Sequence, residues 1–299
     1  RNLSTDMYTH CINVCALSTI MALRLKMSER QVRNISIGAI LHDIGLRYIK
    51  VPYMNTNETY MNTKDALEFT VEAGRPDSIT EEKLKVLASH GISRISINPQ
   101  TMNQKTLDLI GRRHTVENVK EKFHIARELG FDNINMDLIM GLPGEDLDDV
   151  KHTLEEIEAL KPDSLTVHSL AIKRAARLNM FKEEYADLKI SNTPEMIALS
   201  EACARRMGME PYYLYRQKNM AGNFENVGYS LPGKACIYNI LIMEEKQTIV
   251  ACGAGTTTKV TFPAENRLER AENVKDVASY IERIDEMIER KDKLLSKLV

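Results

Sequence analysis

The sequence predicts an α/β fold built on a parallel sheet, and three observations carry that expectation. From about residue 70 onward, short apolar runs alternate with amphipathic stretches of helical period. Glycines stand where each helix should stop, ahead of the next apolar run. No apolar run approaches the roughly 18 residues needed to span a bilayer.

In chain order, residues 7–27 and 29–41 read as two helices rich in Ala, Ile, Leu and Met. Ser28 starts the second, with Glu29 in its first turn. Residues 50–65 are polar and turn-rich, a loop. Strands are expected at Phe69–Glu72, Arg94–Asn98, Asn133–Met140 and Ser164–Leu170, and helices at 80–90, 103–110, 115–130 and 146–160. Thr80 and Thr115 open two of these helices, and Gly91 and Gly130 close them. Repeated strand–helix–strand units with right-handed crossovers give a parallel sheet, open or closed into a barrel, and four strands are too few to close one. Further on, 193–208 reads as a helix, 211–262 as mixed strand and loop, and 271–298 as one long amphipathic helix with a solvated charged face. The chain thus divides into a helical segment 1–65, an α/β region 66–190 and an α+β region 191–299.

The 299 residues are 43% hydrophobic and 27% charged with a net charge of −2, so neither a nucleic-acid nor a membrane partner is expected. Five cysteines, none in a CxxC pair, suit a reducing cytoplasm. No signal-peptide pattern opens the sequence, and a start at Arg1 fits a piece of a longer protein. Cys203, Cys236 and Cys252 are scattered singly and read as buried or half-buried thiols. His114, His124, His152 and His168 have no ligand spacing, with His168 the best placed to face the strand ends. The fifteen methionines fit core gap-filling. Oligomeric state is open.

The stretches that carry chemistry are VEAGRPDSIT at 71–80, RISINPQTMN at 94–103, LDLIGRRHT at 107–115 and NINMDLIMGLPGED at 133–146. Ligands of parallel α/β sheets bind at the carboxyl ends of the strands. Glu72, Gln100 and Asp137 are expected at or just past those ends, Arg112 in the next connection, and GLPGE in a tight turn after its strand. A lone carboxylate there is more often a cap or an ion-pair partner. Four polar groups on successive units point instead to a shared site.

Residues 71–175 resemble the radical-SAM core of the oxygen-independent coproporphyrinogen III dehydrogenase family, through EAGRP, RISINPQTMN, LIGRRHT, MDLIMGLPGE and LTVHSLAIKR. The likeness continues through YRQKNMAGNFENVGYS at 215–230 and CGAGTTTK at 252–259. It implies a partial (β/α) barrel lacking its first two units, S-adenosylmethionine (SAM) as cofactor, and a tetrapyrrole such as coproporphyrinogen III as substrate, whose propionates are oxidatively decarboxylated. By resemblance, Glu72, Gln100, Arg112 and Asp137 match SAM-contacting positions, while Ile139 and Ala171 match positions lining the adenine. Carboxylates suit ribose hydroxyls and an amine, and Arg112 suits a carboxylate. The family also implies a four-iron four-sulfur cluster on a CxxxCxxC loop, which this sequence lacks. Its nearest approach is Cys11–x3–Cys15–x2–Ser18, in a helical pattern and with serine a poor third ligand.

The first 65 residues resemble the opening of an HD-GYP domain, through DMYTHCINVCALS at 6–18 and GAILHDIGLRYIKVP at 38–52. That likeness implies that His10, His42 and Asp43 match ligands of iron, manganese or zinc in a cyclic-dinucleotide phosphodiesterase. The family's downstream ligands are missing, since the next histidine, His90, already belongs to the radical-SAM-like stretch. The sequence therefore reads as two truncated families joined near residue 70. It implies a dehydrogenase-like protein impaired by loss of its cluster motif, with an HD-type phosphodiesterase fragment or a non-catalytic remnant as alternatives.

Overall fold

A computed structural model of the chain describes residues 66–171, 191–216 and 221–298. They fall into two compact units, one spanning Leu67–Met243 and the other containing Glu244–Val299.

The first unit is a six-stranded open sheet with helices on one face. Its strands are β1 (Thr70–Gly74), β2 (Arg94–Ile97), β3 (Ile134–Met140), β4 (Ser164–Ser169), β5 (Glu210–Tyr215) and β6 (Asn226–Ser230), in the order β1-β2-β3-β4-β6-β5. The first four run parallel, β6 is antiparallel to β4, and β5 is antiparallel to β6. No closed barrel forms among the described residues, as four parallel strands led one to expect. The expected break at 190 falls inside this unit, because β5 and β6 complete the same sheet.

Up to Arg206, the described α-helices begin and end close to where the sequence signals put them. Helix α1 (Glu81–Ser89) starts where Thr80 accepts a hydrogen bond from the Lys83 amide, and α2 (Gln104–Leu109) is a short turn after β2. Helix α3 (Val116–Glu128) is opened by a reciprocal Thr115–Asn118 capping box, and α4 (Leu147–Leu160) by another between Asp146 and Asp149. Thr193 caps α5 (Pro194–Arg206), and α6 (Ile237–Glu244) lies where the sequence suggested only strand and loop. Gly91 and Gly130 take φ of 68° and 90°, the left-handed geometry that ends a helix.

Alternation along the strands divides the sheet into two chemically different faces. Ile95, Ile97, Ile134, Met136, Leu138, Met140, Leu165, Val167 and Tyr229 meet Leu84, Val119, Phe123, Leu154, Ile157, Met196 and Cys203 of the helices in one core. Each such aliphatic side chain, fully buried, contributes about 1.5–3 kcal/mol. The other face carries Arg94, Ser96, Asn135, Asp137, Ser164, Thr166 and His168. This polar face carries Asp137, one of the residues expected to contact a ligand.

The second unit holds the hairpin β7 (Thr257–Phe262) and β8 (Arg267–Glu272), with α7 (Val277–Glu282) and α8 (Ile284–Leu295). Leu294 of α8 packs with Val260, Phe262 and Ala271 of the hairpin. The single helix expected over 271–298 is thus corrected: β8 runs to Glu272, Asp276 caps α7, and Arg283 at φ −108° separates α7 from α8. The charged face is not wholly solvated either, since Lys291 is buried and burial lowers its pKa.

Candidate functional site

Backbone pairing sets the site residues in rows across the polar face. Asp137 on β3 is in register with Thr166 on β4, Thr166 with Gly228 on β6, and Gly228 with Tyr213 on β5. Ile139 pairs with His168 in the next row. Glu72 and Asp137 lie within their strands rather than at the ends expected for them. Glu72 is exposed, and its carboxylate accepts from the Ser96 hydroxyl at 2.5 Å.

Gln100 is where β2's line resumes three residues past Ile97. Its amide donates to the Asp137 carbonyl at 3.0 Å and its carbonyl accepts from the Ile139 amide at 2.9 Å, so three of the expected residues are joined by backbone. Gln100 takes φ of 72°, a conformation that costs a non-glycine residue about 1 kcal/mol or more and persists only where its surroundings impose it. Those surroundings are a buried polar knot that sequence reading missed. Glu145, 4% exposed, accepts from the Thr101 hydroxyl at 2.6 Å and from Asn103 Nδ2 at 3.2 Å. Thr153 Oγ1 accepts from the Met102 amide at 3.1 Å. Burial raises the Glu145 pKa, against the bonds from Thr101 and Asn103. The signal was present, since GLPGE follows the strand, but only the fold shows that its carboxylate turns inward beneath the QTMN turn.

Asp137 is held from below and beside. Asn135 Nδ2 donates to Asp137 Oδ1 at 2.7 Å, and His168 Nε2 lies 3.7 Å from Oδ2. His168 thus does reach the polar face. Ala171 follows β4 by two residues, next to Leu170, whose amide donates to the Met140 carbonyl at 2.9 Å. Arg112 is half-buried after α2, its pKa lowered by burial and by Arg75. Arg75 pairs with Asp77 at 3.1 Å just past β1, and both lie near enough to Arg112 to act on its charge. His114 is fully buried, bonded through Nε2 to the Pro99 carbonyl at 3.4 Å, and burial lowers its pKa.

Tyrosine and histidine rings border this row. Tyr213 and Tyr215 rings lie 7° apart with centroids 6.1 Å apart, and His168 is edge-on to Tyr215 at 6.4 Å. Burial pushes the Tyr213 hydroxyl well up.

The described residues do not fit an iron–sulfur cluster. Three thiolates are needed. Burial pushes the Cys203 and Cys236 thiols up to about 11, and Cys252, expected to be buried or half-buried, is exposed. No group of three or more His, Cys, Asp or Glu among the described residues could hold a metal ion. Cys11, Cys15, His10, His42 and Asp43 lie outside the described residues. No helix among those described is long and apolar enough to cross a membrane.

Comparison with known proteins gives a consistent picture. The radical SAM superfamily model matches residues 40–157, a stretch that begins before the expected junction and includes His42 and Asp43. The oxygen-independent coproporphyrinogen-III oxidase-like protein HemZ of Bacillus subtilis (strain 168) is 48% identical over 246 residues, 82% of this chain and 49% of that protein. The heme chaperone HemW of the same organism is 38% identical over 117 residues, 39% of this chain and 31% of that protein. Among solved structures, coproporphyrinogen III oxidase (HemN) from Escherichia coli superposes with a TM-score of 0.56 at 21% identity, over 74% of this chain and 49% of that one, a likeness of fold. The chain spans about half the length of HemZ and HemN.

Proposed function

Because this chain belongs to the radical SAM family, of the HemN/HemZ-like type, we propose that its polar sheet face binds SAM and that its second ligand is a tetrapyrrole. The observation that carries the first half is the backbone ladder joining Gln100 to Asp137 and Ile139. In this reading Glu72 and Asp137 accept from the ribose hydroxyls and the amino group, Gln100 supplies an amide, and Arg112 pairs with the carboxylate. Ile139 and Ala171 give the adenine an apolar seat. Bound, the ligand would bring a sulfonium-activated adenosyl group to the sheet.

The second half is supported by the names of the relatives, a coproporphyrinogen-III oxidase-like protein and a heme chaperone, whose common theme is a tetrapyrrole. Reductive cleavage of SAM, the step that starts oxidative decarboxylation of propionates in the family, would need an electron from a reduced cluster, and the described cysteines do not fit one. The reading is therefore of a SAM- and tetrapyrrole-binding scaffold. The metal-dependent phosphodiesterase expectation rests on His10, His42 and Asp43 alone.

Titration calorimetry with S-adenosylhomocysteine tests the first half, and absorbance titration with coproporphyrin III or haem the second. Asp137→Asn or Gln100→Ala should weaken nucleoside binding by roughly 10-fold, the worth of a hydrogen bond to a charged group. Absence of binding by the unaltered chain at millimolar ligand would defeat the SAM reading.

A further inference from the structure

Arg94 is a buried cation without an adequate reason in packing alone. It is 1% exposed, its Nε and Nη1 have no hydrogen-bond partner, and no carboxylate lies within ion-pair distance among the described residues. Its single bond runs from Nη2 to Ser164 Oγ at 3.2 Å. Ser164 in turn donates to Asn135 Oδ1 at 3.1 Å, and Thr166 donates to the same oxygen at 3.2 Å. With its oxygen fixed by two hydroxyls, the Asn135 amide must turn its Nδ2 the other way, and there it donates to Asp137 Oδ1 at 2.7 Å.

We infer that Arg94, Ser164 and Asn135 form a polarised hydrogen-bond relay whose task is to position the Asp137 carboxylate for its nucleoside ligand. The inference rests on the reading of Asp137 as a SAM contact. Every link donates in the same direction. Arg94 can only donate, so the Ser164 hydroxyl must spend its own proton on Asn135, and the amide cannot flip. The chain crosses from β2 to β4 and back to β3, tying three strands through side chains on one face. A buried guanidinium left partly unpaired lowers stability, and replacing it by an apolar residue of similar volume is often neutral or stabilising. A positioning role accounts for a residue that stability does not favour.

The test separates position from stability. Arg94→Met and Ser164→Ala should each weaken S-adenosylhomocysteine binding by about 5- to 10-fold. Over the same pair, Arg94→Met should leave the thermal midpoint unchanged or higher, a divergence that a merely structural role would not produce. Ser164→Thr, which keeps the hydroxyl, should bind like the unaltered chain. If both disrupting variants bind normally while Asp137→Asn weakens binding, the relay is overturned and the SAM reading stands. If Asp137→Asn changes nothing, the SAM reading itself falls and the relay with it. Should Arg94→Met fail to fold, Ser164→Ala against Ser164→Thr decides alone.

Discussion

Gly228→Ala probes the middle of the polar row most directly. Gly228 sits in β6 between Thr166 and Tyr213, and a Cβ there would stand 2.0 Å from Tyr213 Cε1 and 2.4 Å from Cδ1. Its φ is not in the left-handed region, so the backbone itself would accept alanine. Carbon atoms pack best about 3.5–4.0 Å apart, so the ring edge must retreat by roughly 1.5 Å. Overpacking of this kind costs about 1–3 kcal/mol. Restricting the unfolded chain returns about 0.4–1 kcal/mol. The net is about 1–2 kcal/mol, or a midpoint lower by ~2–8 °C for a unit of this size. The assay is thermal unfolding of Gly228→Ala in the unaltered and Tyr213→Ala backgrounds. With the ring gone, the alanine should cost almost nothing or stabilise slightly. An equal cost in both backgrounds would refute the argument that the Tyr213 ring fills the place of the missing side chain.

Three further outcomes follow from particular contacts. Thr115→Ala removes half of the capping box on α3 and should lower stability by about 1 kcal/mol in urea unfolding, with Thr115→Ser restoring most of it. In iodoacetamide labelling at pH 8 followed by peptide mapping, exposed Cys252 should react well before Cys203 and Cys236, whose thiols burial holds near 11. Glu145→Gln should flatten the pH dependence of stability. The folded pKa of Glu145 is raised by burial and further by Asp149, itself paired with Lys105, so its contribution is complete below the ordinary carboxylate range and lost as pH rises through the raised value. Gln offers an oxygen to Thr101 and Asn103, so urea midpoints of the variant should match or exceed those of the unaltered chain at pH 8 and converge with them near pH 4; a larger deficit at pH 8 would sink the argument.

The first unit was legible because its signals are local. Thr80, Thr115, Gly91 and Gly130 act within one helical turn, and the β2–β4 periodicities decide which side chains enter the core. Helix α6 was missed because ILIM carries no polar face to set a helical period. The break at Arg283 was missed for the opposite reason, since the charged pattern continues across it while the backbone does not. Within the site, the types of residue were legible and their partners were not. Nothing in the spacing of Glu145, Thr101 and Thr153 announces that they meet, because their contact depends on α4 returning beside the QTMN turn.

The two faces of the sheet explain why the site was only half readable. An apolar face is over-determined, because many substitutions of similar volume would fill it, and its pattern shows in sequence as periodicity. A polar face on strands has no such redundancy. Arg94 and Ser164 are 70 residues apart, Asn135 and Ser164 are 29 apart, and each bond exists only because β2, β3 and β4 are neighbours in register. In sequence each residue is an ordinary polar position in a strand. In the fold, each donor's direction fixes the next, and the last one faces Asp137. Polar residues that alternate with core residues on consecutive parallel strands are therefore better read together, across strands, than one motif at a time.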